Sequence, residues 1–234
     1  MVQQSSDLPD DVIPARKSRL FIAVFRWYVR WLFYRKFDTI WLHKDYEPSP
    51  DESTIYYLNH TSWWDGLIPF LLNEFHFQQQ ARAVMEDQQM REFPFFSRIG
   101  AFSINRSNPR SALQSLQYGL DYLQQPGRSL FIYPEGKIIP PEQSPTSFEG
   151  GLAWMLDQMP VNARRSTRVV PIGIYTHLMD NDRPTLLLNV AAPVAVEPGA
   201  DRTQIQAVLE HRLSQAVLFN RQYSQRPEQQ FDLL

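Results

Sequence analysis

The sequence predicts an α/β fold: a mixed, largely parallel sheet flanked by helices, preceded by an amphipathic helix suited to a membrane interface. Three observations carry this. Runs rich in β-branched and aromatic residues, STIYYL at 53–58, SLFIY at 129–133 and RVVPIGIYT at 168–176, are separated by stretches with helical periodicity. Strands that alternate with helices form sheets that run parallel wherever a helix makes the crossover. A chain of 234 residues is long enough to bury one full core and short for two.

Residues 1–18 read as a polar arm, acidic before it turns basic, which is the reverse of a secretory signal. Residues 19–50 read as an interfacial helix and a connector. Within RLFIAVFRWYVRWLFYRKF at 19–37, Arg19, Arg26 and Arg30 fall in one narrow sector of a helix. Phe21, Val24, Phe25, Tyr28 and Leu32 lie roughly opposite, with Trp27 and Trp31 on a flank. Such a helix can dock its apolar side on a core or lie in a membrane interface, and the two are compatible. The mixture of arginine and tryptophan favours lipid, because arginine snorkels to headgroups and tryptophan prefers the interface. No apolar run here reaches the roughly 18 residues of a spanning helix.

Residues 51–220 form the main domain. The stretch 41–50, with charges and two prolines, reads as a connector into the strand at 53–58. A short buried helix follows at 67–77, then a strand at 81–85, a helix at 90–99 broken at Pro94, and a strand at 101–105. Leu113, Leu116, Leu120 and Leu123 mark a helix over 109–125, with Asn108 as its cap and Pro109 in its first turn. The strand at 129–133 leads into a proline-rich loop at 140–145 and a helix at 154–159 that opens near Gly150-Gly151. Strands at 168–176 and 185–196 precede a last helix over 203–219, and residues 221–234 read as a polar tail.

Composition narrows the function. A net charge of -2 and a pI near 6.2 give no general argument for nucleic acid. With no cysteine there is no disulfide, no thiolate nucleophile and no cysteine-bound metal. His43, His76, His177 and His211 are scattered without an HExxH-type cluster, so no metal site is expected, and no G-x-S-x-G elbow occurs.

The stretch YLNHTSWWDG at 57–66 carries the chemistry. His60 follows the strand at 53–58, and Asp65 comes five positions later. The pair can simply cap the helix that follows. It can also act as a general base and the carboxylate that orients it, His60 taking a proton from a hydroxyl while Asp65 fixes the imidazole tautomer.

Three further blocks follow in order: GAFSINR at 100–106, YPEGKI at 133–138 and VVPIG at 169–173. With Asn59, His60 and Asp65 as N-H-x-x-x-x-D, the four blocks resemble those of the lysophosphatidic acid, or glycerolipid, acyltransferases. The resemblance implies a glycerolipid acyltransferase-like fold, with 51–220 as the acyltransferase domain. It implies transfer of a fatty acyl chain from acyl-CoA or acyl-carrier protein to a lipid hydroxyl, most simply that of lysophosphatidic acid, with no cofactor and no metal. It makes His60 the base and Asp65 its partner, with acceptor binding by Arg106, Glu135, Gly136 and Lys137. Asn59, Gly100, Phe102 and Pro171 become residues of the acyl pocket or of the scaffold. The partners implied are membrane lipid and the acyl donor, at the cytoplasmic face of a membrane.

One departure bears on the acceptor. Where the family pattern has Thr-Arg after Glu-Gly, this chain has Lys137-Ile138, so a second phosphate-gripping arginine is missing. Lys137 can stand in as a point charge with less geometric specificity. The alternatives are the same chemistry on a glycosylated or isoprenoid alcohol, and a non-catalytic lipid-binding protein on this scaffold.

Overall fold

Eight strands form one sheet: β1 (Ile40–Lys44), β2 (Ser53–Leu58), β3 (Gln80–Glu86), β4 (Ala101–Ile104), β5 (Arg128–Ile132), β6 (Thr167–His177), β7 (Thr185–Val190) and β8 (Asp232–Leu233). The computed structural model describes residues 9–178, 181–197 and 199–234. The strands lie in the order β4-β3-β5-β2-β6-β7-β1-β8. From β4 to β6 all neighbours are parallel, β7 is antiparallel to β6 and parallel to β1, and β8 returns antiparallel on β1. The sheet is therefore mixed and largely parallel.

The helices are α1 (Arg19–Lys36), α2 (Ile68–Leu72), α3 (Asp87–Glu92), α4 (Phe95–Ile99), α5 (Pro109–Leu123), α6 (Gly151–Gln158), α7 (Val161–Ser166) and α8 (Arg202–Tyr223). A 3-10 turn, Trp63–Leu67, leads into α2, and a π-type turn, Asn73–Phe77, leaves it. Strand β2 is buried along its whole length, as a central parallel strand covered on both faces must be. Its side chains alternate between two cores. Tyr56 and Leu58 join Phe131, Val170 and Ile172 beneath α1, α2 and α4, while Ile55 and Tyr57 join Leu130, Ile132 and Val169 beneath α5, α6 and α8.

Several elements differ from the sequence expectation. The stretch expected as a connector from Trp41 contains β1, which pairs in register with β7. Only its inward residues Ile40 and Leu42 are buried, and the five-residue strand ends in His43-Lys44 and runs into a charged, proline-bearing stretch, which hides it from a composition argument. The strand expected to run to Val196 ends at Val190: the facing Pro171 of β6 has no N–H to give, so only isolated bonds continue, from the Ala191 N–H to the Pro171 carbonyl and from the Val194 N–H to the Val169 carbonyl. The expected polar tail is part of the sheet: α8 continues to Tyr223, Phe231 is buried, and β8 pairs with β1. One buried aromatic anchors that tail, too little to register in its composition.

The arm before α1 is also built in from residue 9, while its first eight residues lie outside the described ones. The Ile13 N–H donates to Ser103 Oγ at 2.7 Å, and its carbonyl accepts from the Ser103 N–H at 2.9 Å. Arg16 and Ser18 donate to the carbonyls of Ser97 and Arg98. The arm thus covers β4, the edge strand, whose open hydrogen-bonding side would otherwise invite another chain.

Helix α1 starts at Ser18, whose hydroxyl accepts from the Phe21 N–H. It buries Phe25, Val29 and Phe33. The grouping expected from the sequence is corrected here. Val24 and Tyr28, expected on one face with Phe25, are exposed together with Leu20, Trp27, Trp31 and Tyr34. The helix carries two apolar stripes on opposite sides, one in the core and one facing outward.

Candidate active site

Strand β2 ends in Asn59, whose side chain acts as one more rung of the sheet. Its Oδ1 accepts from the Ile174 N–H at 2.7 Å, and its Nδ2 donates to the Ile174 carbonyl at 2.9 Å and to Ser144 Oγ at 3.2 Å. The chain is thereby held to β6 at the point where it leaves the sheet. The next residue, His60, is fixed through its backbone: its N–H donates to Glu135 Oε2 at 2.7 Å, and its carbonyl accepts from the Ile139 N–H at 2.8 Å.

The imidazole Nδ1 lies 3.3 Å from Asp65 Oδ2. Asp65 is buried, and its carboxylate also accepts from the N–H groups of Thr61 at 2.5 Å and Ser62 at 2.8 Å, and from Ser62 Oγ at 2.7 Å. Asp65 caps the turn that starts at Ser62 and faces the histidine. A carboxylate already satisfied by fixed donors is held in place, and an Nδ1–H donated to it leaves Nε2 with its lone pair free.

Tyr133 closes the back of the site. Its ring lies 4.5 Å from that of His60, centroid to centroid, and its hydroxyl donates to the Asp65 carbonyl at 2.5 Å. Burial, then the neighbouring Asp65 carboxylate, pushes the phenol well above its ordinary range, so it serves as a donor throughout the working pH range. The sequence showed Tyr133 only as an aromatic in the third block. Its bond to a residue 68 positions away has no local sequence signal.

Glu135 is placed behind the cleft rather than in the acceptor site expected for it. It is 2% exposed; one oxygen takes the His60 N–H and the other the Thr146 N–H at 2.8 Å. Burial raises its pKa, and the Thr146 and His60 N–H bonds oppose that rise. Its geometry is that of a positioning residue for the backbone that carries His60.

A cleft of about 260 Å³ opens beside His60. Its apolar wall includes Val84, Met85, Phe93, Phe96 and Ile132, and its other boundary includes Arg106, Gly136 and Lys137. Arg106 follows β4; its Nη1 donates to the Gly136 carbonyl at 2.7 Å, and its Nη2 lies 3.0 Å from Glu149 Oε1. Gly136 has φ +67° and faces this pair. The other block residues belong to the scaffold. Gly100 ends α4 at φ +112°, where an added Cβ would lie 2.9 Å from the Ala81 carbonyl oxygen. Phe102 is wholly buried against Tyr118. Pro171 lies in β6 opposite Tyr57, its carbonyl accepting from Ala191.

The expected residues thus divide in two. His60, Arg106, Gly136 and Lys137 meet at one cleft with Asp65 directly behind, whereas Asn59, Gly100, Phe102, Glu135 and Pro171 build its frame. Among the described residues no group of three or more His, Asp or Glu side chains converges as metal ligands would.

A parallel α/β sheet with its polar groups gathered outside the carboxyl ends of β2, β4 and β5 defines the class as an α/β enzyme with a ligand cleft at that edge. The family model described as Acyltransferase matches residues 42–175, more than half of the chain, and the chain belongs to that family and is an acyltransferase. Among solved structures it is similar to the 1-acyl-sn-glycerophosphate (LPA) acyltransferase PlsC from Thermotoga maritima. The TM-score is 0.57 at 16% identity, over 85% of this chain and 79% of that one. No curated protein sequence is close enough to be matched.

Proposed function

We propose that the protein moves a fatty acyl chain from acyl-CoA or acyl-carrier protein to a lipid hydroxyl at the cytoplasmic face of a membrane, with His60 and Asp65 as the catalytic pair. The observation that carries this is one cleft in which His60 lies beside an apolar wall, the cationic side chains of Arg106 and Lys137, and Glu86. The apolar wall suits an acyl chain, and the polar mouth suits a headgroup.

His60 Nε2 takes the proton of the acceptor hydroxyl as that oxygen attacks the thioester carbon. The new carbon–oxygen bond forms, the tetrahedral intermediate collapses with loss of the carbon–sulfur bond, and the proton passes from His60 to the departing thiolate. Asp65 stabilises the imidazolium in between. Products are an ester and a free thiol, and the pair returns to its starting state. Helix α1 brings the cleft to its lipid substrates through its outward apolar stripe; no described helix is long and apolar enough to cross a membrane.

Arg106 and Lys137 admit one acceptor reading, lysophosphatidic acid, the substrate of the similar Thermotoga maritima enzyme. The Arg106–Glu149 contact favours a second, a lipid alcohol without that phosphate. The common chemistry is tested with purified protein, an acyl thioester and a mixed pool of lipid alcohols, the products being identified by mass spectrometry. His60→Ala should lower turnover by about 10²–10⁴, the usual share of a general base. Turnover at the parent rate would overturn the mechanism.

A further inference from the structure

Arg106, the residue expected to grip an acceptor phosphate, is already engaged. Its Nη1 donates to the Gly136 carbonyl at 2.7 Å, and its Nη2 meets Glu149 Oε1 at 3.0 Å. The backbone that carries Glu149 is held in place. The Glu149 N–H is tied to the Pro134 carbonyl at 2.8 Å, and the preceding Phe148 N–H donates to Glu210 Oε1 at 2.7 Å. Both side chains fold over the bare face of Gly136: a Cβ there would come within 3.0 Å of Glu149 Cγ and 3.3 Å of Arg106 Cζ.

We propose that Glu149 is a specificity-determining residue that selects the acceptor by charge. By pairing with Arg106 at the mouth of the cleft it favours a lipid alcohol with a neutral polar headgroup over one that carries a phosphomonoester. This rests on the acyl-transfer reading above. The cleft is lined by the charged side chains of Arg106, Lys137 and Glu86, and Glu149 adds a second carboxylate beside it through its pair with Arg106, while a phosphomonoester brings about -1.5 to -2 at neutral pH. Such a group must displace the carboxylate or lie beside it, and either costs free energy. A hydroxylated headgroup has no such conflict. Its hydroxyls can accept from the guanidinium and donate to the carboxylate, using the pair as it stands. Exposed ion pairs are weak, so the discrimination comes less from the strength of the pair than from the negative charge it keeps beside Arg106, where a phosphate gripped by that guanidinium would lie.

The test compares kcat/KM for transfer from one acyl-CoA to 1-acylglycerol and to lysophosphatidic acid with the same acyl chain. The full chain is used, as the parent and as E149Q, E149K and E149D. The parent should prefer 1-acylglycerol. In E149Q the ratio of lysophosphatidic acid to 1-acylglycerol should rise about fivefold or more, with the gain in KM for the phosphorylated acceptor, and in E149K it should rise further. E149D, which keeps the charge, should keep the parent ratio. A parent that prefers lysophosphatidic acid, or a ratio unmoved in well-folded E149Q and E149K, would overturn the proposal. If the parent acylates neither acceptor nor any other lipid alcohol, the acyl-transfer reading itself fails and takes the proposal with it.

Discussion

Glu135 sits among backbone donors, and that makes its ionisation a matter of folding as much as of catalysis. Both oxygens are occupied by N–H groups, those of His60 and Thr146, and a glutamine would turn its own NH2 toward one of these donors. Glu135→Gln should therefore cost about 1–3 kcal/mol through one unpaired buried N–H, and should lower turnover by loosening the backbone of His60. The pH dependence separates this from general damage. Burial raises the folded-state pKa of Glu135 above its ordinary value of 4.5, so the folded state holds this proton more tightly than the unfolded one. The corresponding stability is complete below pH 4.5 and is lost as pH rises through the folded-state value. Urea unfolding across that window should show the parent losing stability relative to Glu135→Gln; parallel curves would rule out the assignment. His60 and Asp65 were legible in the sequence because they lie on one turn. The partners of Glu135 are 75 and 11 positions away, so its block identified the residue while hiding the direction it faces.

At the scale of the element, α1 shows how periodicity can be read correctly and divided wrongly. Its arginines and aromatics announced an amphipathic helix, yet wheel arithmetic alone placed Val24 and Tyr28 with Phe25. The structure separates them because α2 and α4 supply a partner only for the side that carries Phe25, which packs on Phe70 and Phe95. Trp27 and Trp31 are 76% and 51% exposed, so nothing in the fold requires their bulk. Changing both to Ser should alter stability by no more than about 0.5 kcal/mol, as for other surface substitutions away from special features. It should also move the protein from sedimented lipid vesicles into the supernatant. Phe33→Ala, in the opposite stripe, should cost about 3–5 kcal/mol by leaving a cavity. If the tryptophan variant still sedimented with vesicles, α1 would be a core helix that merely exposes its outer face. The strands followed the same logic: β2 and β5, buried on both faces, were evident as apolar runs, while β1 is short, lies near the far edge and runs into a charged stretch, so it passed for a connector.

Over the whole molecule, topology gathers three of the four blocks at one cleft, since β2, β4 and β5 run parallel and deliver His60, Arg106 and the 133–137 turn to the same edge of the sheet, while the fourth block, in β6, braces β2. The order of the blocks made that gathering legible. The far side was not, because β7 and β1 reverse direction and the sheet is completed by a segment that composition assigns to a tail. That segment has a physical task. Strand β8 covers β1, the Leu234 N–H donates to the Ile40 carbonyl at 2.8 Å, and Phe231 packs against Phe219 and His43. Removing residues 225–234 would expose the edge of β1 and delete one buried aromatic. Urea unfolding should show a loss of about 2–4 kcal/mol, consistent with losing most of one Phe side chain from a core, and light scattering should show self-association through the open edge. The cleft lies on the other half of the sheet, with β6 and β7 between β2 and β1, so turnover per folded molecule should be retained. A truncated chain as stable as the parent would make the tail an appendage and β1 a self-sufficient edge; a folded truncated chain without activity would mean that the eight strands act as one mechanical unit, with the far edge needed to hold β2 and His60 in place.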